Sequence, residues 1–184
     1  MPNPKRQIGS LLVLGGARSG KSRYAQRLAE ASRLKPVLIA TAEARDAEMA
    51  LRIARHATAR DARWSVVEEP AALAGALRRE ARNDRIVVVD CVTLWLSNLL
   101  LKNDDLATAT EDLAQAVAGL SGPVIFVSNE VGAGIVPEKA LARAFRDAQG
   151  FLNQALAEVC EAVVLVNAGI ALCLKPSPEP EFHF

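Results

Sequence analysis

Gly15-Gly16-Ala17-Arg18-Ser19-Gly20-Lys21-Ser22 follows the apolar run Leu11-Leu12-Val13-Leu14 and opens a stretch with Ala25, Leu28 and Ala29 on one helical face. The spacing is G-x-x-x-x-G-K-[ST] between a strand and a helix, which is the context a phosphate-binding loop requires. Its glycines let successive N–H groups turn toward phosphate oxygens, and Lys21 adds a positive charge for the β- and γ-phosphates. Ser22 offers a hydroxyl to Mg²⁺, and the following helix presents its positive dipole end to the same anion. The octet therefore predicts binding of a nucleoside triphosphate such as ATP or GTP.

Strand-like and helix-like runs alternate outward from this point. Pro36–Ala40, Trp64–Val67, Ile86–Val89, Pro123–Ser128, Val163–Val166 and Ala171–Leu174 are short apolar runs. Between them lie helical stretches over 44–59, 70–82, the residues up to 101, 106–120 and 137–158, with turns at 102–105 and Gly169. Strands that are apolar throughout, interleaved with helices, imply a mostly parallel sheet covered on both faces. Motif and pattern together predict a single-domain α/β fold, P-loop NTPase-like (RecA-like), over residues 10–175. Residues 1–9 read as a flexible leader and 176–184 as a proline-rich tail.

With 184 residues and a formal net charge of +1, the chain shows no electrostatic bias toward nucleic acid or an anionic membrane. No apolar run reaches the ~20 residues a membrane span needs, and no signal-peptide core is visible, so a cytoplasmic location is expected. Cys91, Cys160 and Cys173 each sit in an apolar stretch and read as reduced core residues.

Ligands of open parallel sheets gather beyond the carboxyl ends of the strands. That directs attention to Thr41, Glu68 and Glu69, Asp90 and Asn129-Glu130. Asp90 directly follows Ile86–Val89, where an acidic residue can hold Mg²⁺ opposite the loop. It could equally cap the next helix, and Glu68-Glu69-Pro70 is also an ordinary acidic helix start.

Four segments go beyond a generic loop: the octet itself; Glu48-Met-Ala-Leu-Arg-Ile-Ala-Arg-His56 followed by Arg60 and Trp64; Asp90-Cys-Val-Thr-Leu-Trp-Leu-Ser-Asn98-Leu-Leu; and Ser128-Asn-Glu-Val-Gly-Ala-Gly-Ile-Val-Pro137-Glu. In order and spacing they resemble the bifunctional adenosylcobinamide kinase / adenosylcobinamide-phosphate guanylyltransferase family of cobalamin biosynthesis. The resemblance implies two reactions. Adenosylcobinamide is phosphorylated with ATP or GTP, and GMP then passes from GTP to adenosylcobinamide phosphate by way of a histidine. The matching histidine is His56, which by itself reads as a solvated residue on a basic helical face beside Arg52 and Arg55.

Its chemistry nonetheless suits the role, because an imidazole of ordinary pKa ~6.5 is largely neutral and nucleophilic near pH 7. The resemblance further assigns nucleotide contacts to Gly15 through Ser22, to Thr41, Ala42 and Glu43, to Ala57, Thr58, Ala59 and Arg60, and to Glu68 and Asp90. Many relatives carry lysine where this chain has Ala57, so a charge there is missing or comes from Arg55. Asn129 and Glu130 are expected to face the corrinoid or the base. Mg²⁺ would lie between Ser22 and Asp90, and the family's oligomer is a homotrimer. Two alternatives stand beside this reading: a different small-molecule kinase with a structural His56, and a non-enzymatic nucleotide-binding module.

Overall fold

The computed structural model describes residues 8–43 and 62–176. Along the chain these form β1 (Ser10–Leu14), α1 (Lys21–Ala31), β2 (Lys35–Ala40), β3 (Ser65–Glu68), α2 (Leu73–Glu80), β4 (Arg85–Asp90), α3 (Val92–Lys102), α4 (Leu106–Ala118), β5 (Val124–Val127), α5 (Ala140–Val159), β6 (Ala162–Asn167) and β7 (Ile170–Lys175). The helix expected over 44–59 lies outside the described residues.

The strands make one seven-stranded sheet in the order β3-β2-β4-β5-β1-β6-β7. Every pairing is parallel except β6 with β7. From β1 the chain crosses the sheet one way to β2 and β3, then returns through β4 and β5 and passes β1 to reach β6. Right-handed crossovers in opposite directions place helices on opposite faces. The packing agrees. Ala25 and Ala29 of α1 join Leu11, Val13, Leu38, Val88 and Val127 on one face. Leu73, Leu77, Leu96, Leu113 and Leu152 of the other four helices join Leu12, Val37, Ile39 and Val89 on the opposite face. Adjacent strands β1 and β5 thus send their chains to opposite faces. That reversal opens a crevice at their carboxyl ends, where the octet lies.

Some expected boundaries shift for local reasons. Helix α2 starts at Leu73 rather than near Pro70, because Glu69 Oε1 accepts from the Ala71 and Ala72 amides (3.2 and 2.8 Å) and holds an open turn there. The turn at 102–105 places Asn103 in the left-handed region (φ 59°), closing α3. The expectation of three core cysteines needs correction at one position. Cys91 and Cys160 are buried, but Cys173 is exposed on β7, the sheet's antiparallel edge. An edge strand with its outer face uncovered does not bury alternate residues, and Ile170, Leu172 and Leu174 are exposed beside it. All three thiols are free.

Candidate functional site

Residues 15–20 curl between β1 and α1 as the octet predicts. Gly15 takes φ 152°, and a Cβ on it would lie 2.3 Å from the Val166 carbonyl oxygen of β6, so only glycine fits. Gly20 takes φ 101° and caps α1 without a side-chain hydrogen bond, leaving the first-turn N–H groups open to an anion. Gly16, Ala17 and Arg18 form the exposed rim. Lys21 is buried, and its Nζ donates to the Gly16 carbonyl at 2.7 Å, arching back over the loop. Ser19 is also buried, with an Oγ that has no hydrogen-bond partner among the described residues. Such an orphan hydroxyl costs free energy unless a ligand oxygen answers it.

The loop is held from two sides. On one, the Glu130 amide donates to the Gly15 carbonyl (3.0 Å). On the other, Ala168 and Gly169 make a two-residue turn with both φ positive (50° and 80°), and the Gly169 amide donates to the Ser19 carbonyl (2.8 Å). The β6–β7 hairpin thus rests its tip on the loop. Sequence reading found this turn but not what it touches.

The two acidic candidates share a face with α1. In the parallel ladder Ala40 is level with Glu68 on one side and Asp90 on the other. Asp90 alternates with Val88, on the α1 face, and Ala40 packs on the same face. Two strand spacings separate Glu68 and Asp90, roughly 10 Å. Neither carboxylate has a hydrogen-bond partner among the described residues. The helix-start role expected for the acidic pair falls to Glu69 alone, so Glu68 stays clear of it. Asp90 does not cap α3, whose N-cap is Cys91.

Thr41 is fully buried, and its hydroxyl donates to the Cys91 carbonyl (2.7 Å) while accepting from the Cys91 amide (3.0 Å). Its side chain therefore locks the corner after Asp90, and any nucleotide contact from this segment falls to its backbone or to Ala42 and Glu43. Glu43 pairs with Lys102 at 3.4 Å. His56, Ala57, Thr58, Ala59 and Arg60 lie outside the described residues.

Beyond β5, the Asn129 backbone is gripped at both ends. Thr93 Oγ accepts from its amide (2.8 Å), and Asn153 Nδ2 donates to its carbonyl (3.1 Å). Behind it, Ser128 Oγ donates to Asn153 Oδ1 (2.5 Å) and accepts from Gln149 Nε2 (3.0 Å). Glu130 Oε1 accepts from the Gly132 amide (2.6 Å), tying that carboxylate to its own loop. Gln149 and Asn153 are one turn apart on α5 and buried. A polar pair at i, i+4 on an apolar helical face was the signal that could have marked them.

No group of three or more His, Cys, Asp or Glu side chains poised for a metal occurs among the described residues. Ser22 at the first turn of α1 and Asp90 at the end of β4 offer a hydroxyl and a carboxylate. Oxygen donors of that kind suit a hard cation completed by phosphates and water.

Comparison with known proteins matches this geometry. The solved PH0250 structure from Pyrococcus horikoshii OT3 superposes with TM-score 0.54 at 10% identity, covering 91% of this chain and 87% of that one. A prototypical ATPase from the type III secretion system of pathogenic bacteria gives 0.53 at 13% identity, over 90% and 57% of the respective chains. At such identities the likeness concerns fold, and the fold is that of P-loop NTPases. In sequence, the bifunctional adenosylcobalamin biosynthesis protein CobP of Pseudomonas aeruginosa is 51% identical over 169 residues, covering 91% of this chain and 98% of its own. The corresponding Escherichia coli protein, CobU, is 38% identical over 180 residues, covering 90% and 99%. The family model described as cobinamide kinase / cobinamide phosphate guanyltransferase matches residues 11–174, from the strand before the loop to the last strand of the sheet, and the chain belongs to that family.

Proposed function

We propose that this chain phosphorylates adenosylcobinamide with ATP or GTP and then converts the product to adenosyl-GDP-cobinamide with GTP, using His56 as the guanylyl carrier. The observation that carries the proposal is the open N-terminus of α1 behind the 15–22 loop, in a chain of this family. In the first step the aminopropanol hydroxyl of the corrinoid attacks the γ-phosphorus, and the nucleoside diphosphate leaves. In the second, an imidazole nitrogen of His56 attacks the α-phosphorus of GTP, forming a phosphoramidate and expelling pyrophosphate. A phosphate oxygen of adenosylcobinamide phosphate then attacks the bound GMP phosphorus, and the histidine departs. Division into two displacements replaces one hard transfer by two easier ones.

The loop amides, the Ser19 hydroxyl and Lys21 bind and orient the phosphates in both reactions. Ser22 and Asp90 fit Mg²⁺, which neutralises phosphate charge when bound. Glu68, Ala42, Glu43 and the stretch Ala57, Thr58, Ala59 and Arg60 contact the nucleotide in this reading. Arg60 and Arg55 offset phosphate charge in this reading. The setting is cytoplasmic. No helix among the described residues is long and apolar enough to cross a membrane. A homo-oligomer, trimeric by family resemblance, is part of the proposal. The exposed Ile170, Leu172 and Leu174 on the edge strand support a covered interface there.

Incubation with GTP labelled at the α-phosphate tests the carrier. The adduct is expected to be acid-labile and base-stable, and His56→Ala removes it while leaving γ-phosphoryl transfer to adenosylcobinamide intact. A labelled His56→Ala protein refutes the assignment. Phosphorylation without any GMP transfer identifies a simple kinase instead.

A further inference from the structure

Helix α3 is apolar along most of its length, yet four of its side chains, Thr93, Trp95, Asn98 and Lys102, reach the exits of neighbouring strands. Thr93 takes the Asn129 amide beyond β5. The Trp95 indole donates to the Ala71 carbonyl beyond β3 (2.7 Å). Asn98 is buried, and its single amide nitrogen donates to the Thr41 carbonyl beyond β2 (2.8 Å) and to the Pro70 carbonyl beyond β3 (3.1 Å). One turn further on, Lys102 reaches Glu43 (3.4 Å). Asn98 and Lys102, four residues apart, therefore grip both ends of the segment 41–43.

We propose that Asn98, assisted by Lys102, is a positioning residue for the nucleoside part of GTP, because it sets segment 41–43 and the exit of β3 in register with Asp90. This rests on the functional reading above. Helix α3 starts directly after Asp90, so the turns between Asp90 and Asn98 act as a rigid spacer of fixed length. Both hydrogens of the Asn98 amide are used on carbonyls of two different strand exits, which joins Asp90, Thr41–Glu43 and the Glu68 end of β3 into one body. In the sheet order β2 lies three strands from β1, roughly 14 Å away. Segment 41–43 is therefore too far from the loop to hold the same phosphate, and its service is to the nucleoside. Loss of the Asn98 amide leaves two carbonyls without their donor, one of them on fully buried Thr41. The segment then shifts to satisfy them, and a nucleoside contact is lost while the phosphate loop, anchored elsewhere, stays in place.

Titration calorimetry of full-length Asn98→Ala and Lys102→Met with two probes, GTP and inorganic tripolyphosphate, tests this. For Asn98→Ala, GTP affinity is expected to fall about tenfold and tripolyphosphate affinity to stay within about twofold. For Lys102→Met, whose ion pair is half-exposed, GTP affinity falls about threefold with the same indifference to tripolyphosphate. A general loss of structure weakens both probes together, and that result overturns the proposal, as does unchanged GTP binding in both variants. Lys102→Met carries the test alone if Asn98→Ala fails to fold. A parent chain that binds both probes but transfers no GMP to adenosylcobinamide phosphate refutes the functional reading and leaves the positioning role standing.

Discussion

Helices α1 and α4 both begin after a turn, and they begin in opposite ways. At α4, Asp105 folds its carboxylate over the helix end and accepts from the Ala107 and Thr108 amides. Two orphan donors of the first turn are thus satisfied by the chain's own carboxylate. At α1 the N-cap is Gly20, which makes no side-chain cap, and the nearby Ser19 hydroxyl has no partner among the described residues. One helix closes its dipole with its own carboxylate. The other keeps it open for a phosphate and relies on the loop and the β6–β7 turn for stability. A helix end built for a ligand is thus recognised by what it leaves unsatisfied.

The comparison is broken most forcefully at Lys21. Lys21→Ala removes a buried cation at the open end, and both phosphorylation and GMP transfer are expected to fall about 100-fold or more when assayed separately. Gly15→Ala comes next. Its Cβ would collide with the Val166 carbonyl, and strain of about 1–3 kcal/mol is expected to lower the melting temperature as well as nucleotide affinity. At the closed end the pattern inverts. Asp105→Ala should lower thermal stability modestly while both activities stay at the parental level.

The pH dependence of that last difference is fixed in sign. Hydrogen bonds from the Thr108 side chain and amide hold the Asp105 carboxyl below its ordinary value of 3.8. The charged form is the one the fold favours, so its stabilisation is present above that value and disappears as pH falls through the lower folded value. Parent and Asp105→Ala melting temperatures should converge in acid and separate toward neutrality. The smallest effect is read by thiol labelling. Cys173 should react in the folded protein, Cys91 and Cys160 only on opening. Saturating GTP should slow Cys91, next to Asp90, more than Cys160 at the far end of the sheet. Burial pushes the Cys160 thiol up to about 12 from 9.0, so it stays protonated and unreactive through the labelling range.

Sequence reading reached the parts of the site that depend on local rules. The octet carries its own geometry, since glycines at fixed spacing after an apolar run admit few conformations. The six remaining strand runs and their mostly parallel arrangement followed from composition, with β7 the antiparallel exception. What escaped depends on contacts distant in sequence. Nothing near Asn98 says that its amide meets carbonyls 57 and 28 residues away. Among Leu96, Leu99 and Leu100 it read as part of an apolar helix. Gly169 was read as a turn, but its place on the Ser19 carbonyl comes from the sheet order, which brings the carboxyl end of β6 beside that of β1. Cys173 was placed in the core because its run is apolar, and only the position of β7 at the sheet edge reverses that.

The support of the loop by Gly169 has a consequence for the order of events during synthesis. The phosphate-binding octet leaves the ribosome well before Gly169, the residue whose amide steadies it. Until about residue 170 has emerged and β6 has paired with β1, the Ser19 carbonyl has no Gly169 amide to meet. The nascent chain therefore carries the complete motif, and the Glu130 support of Gly15, before the Gly169 support exists. The loop gains its second support only as the β6–β7 hairpin closes.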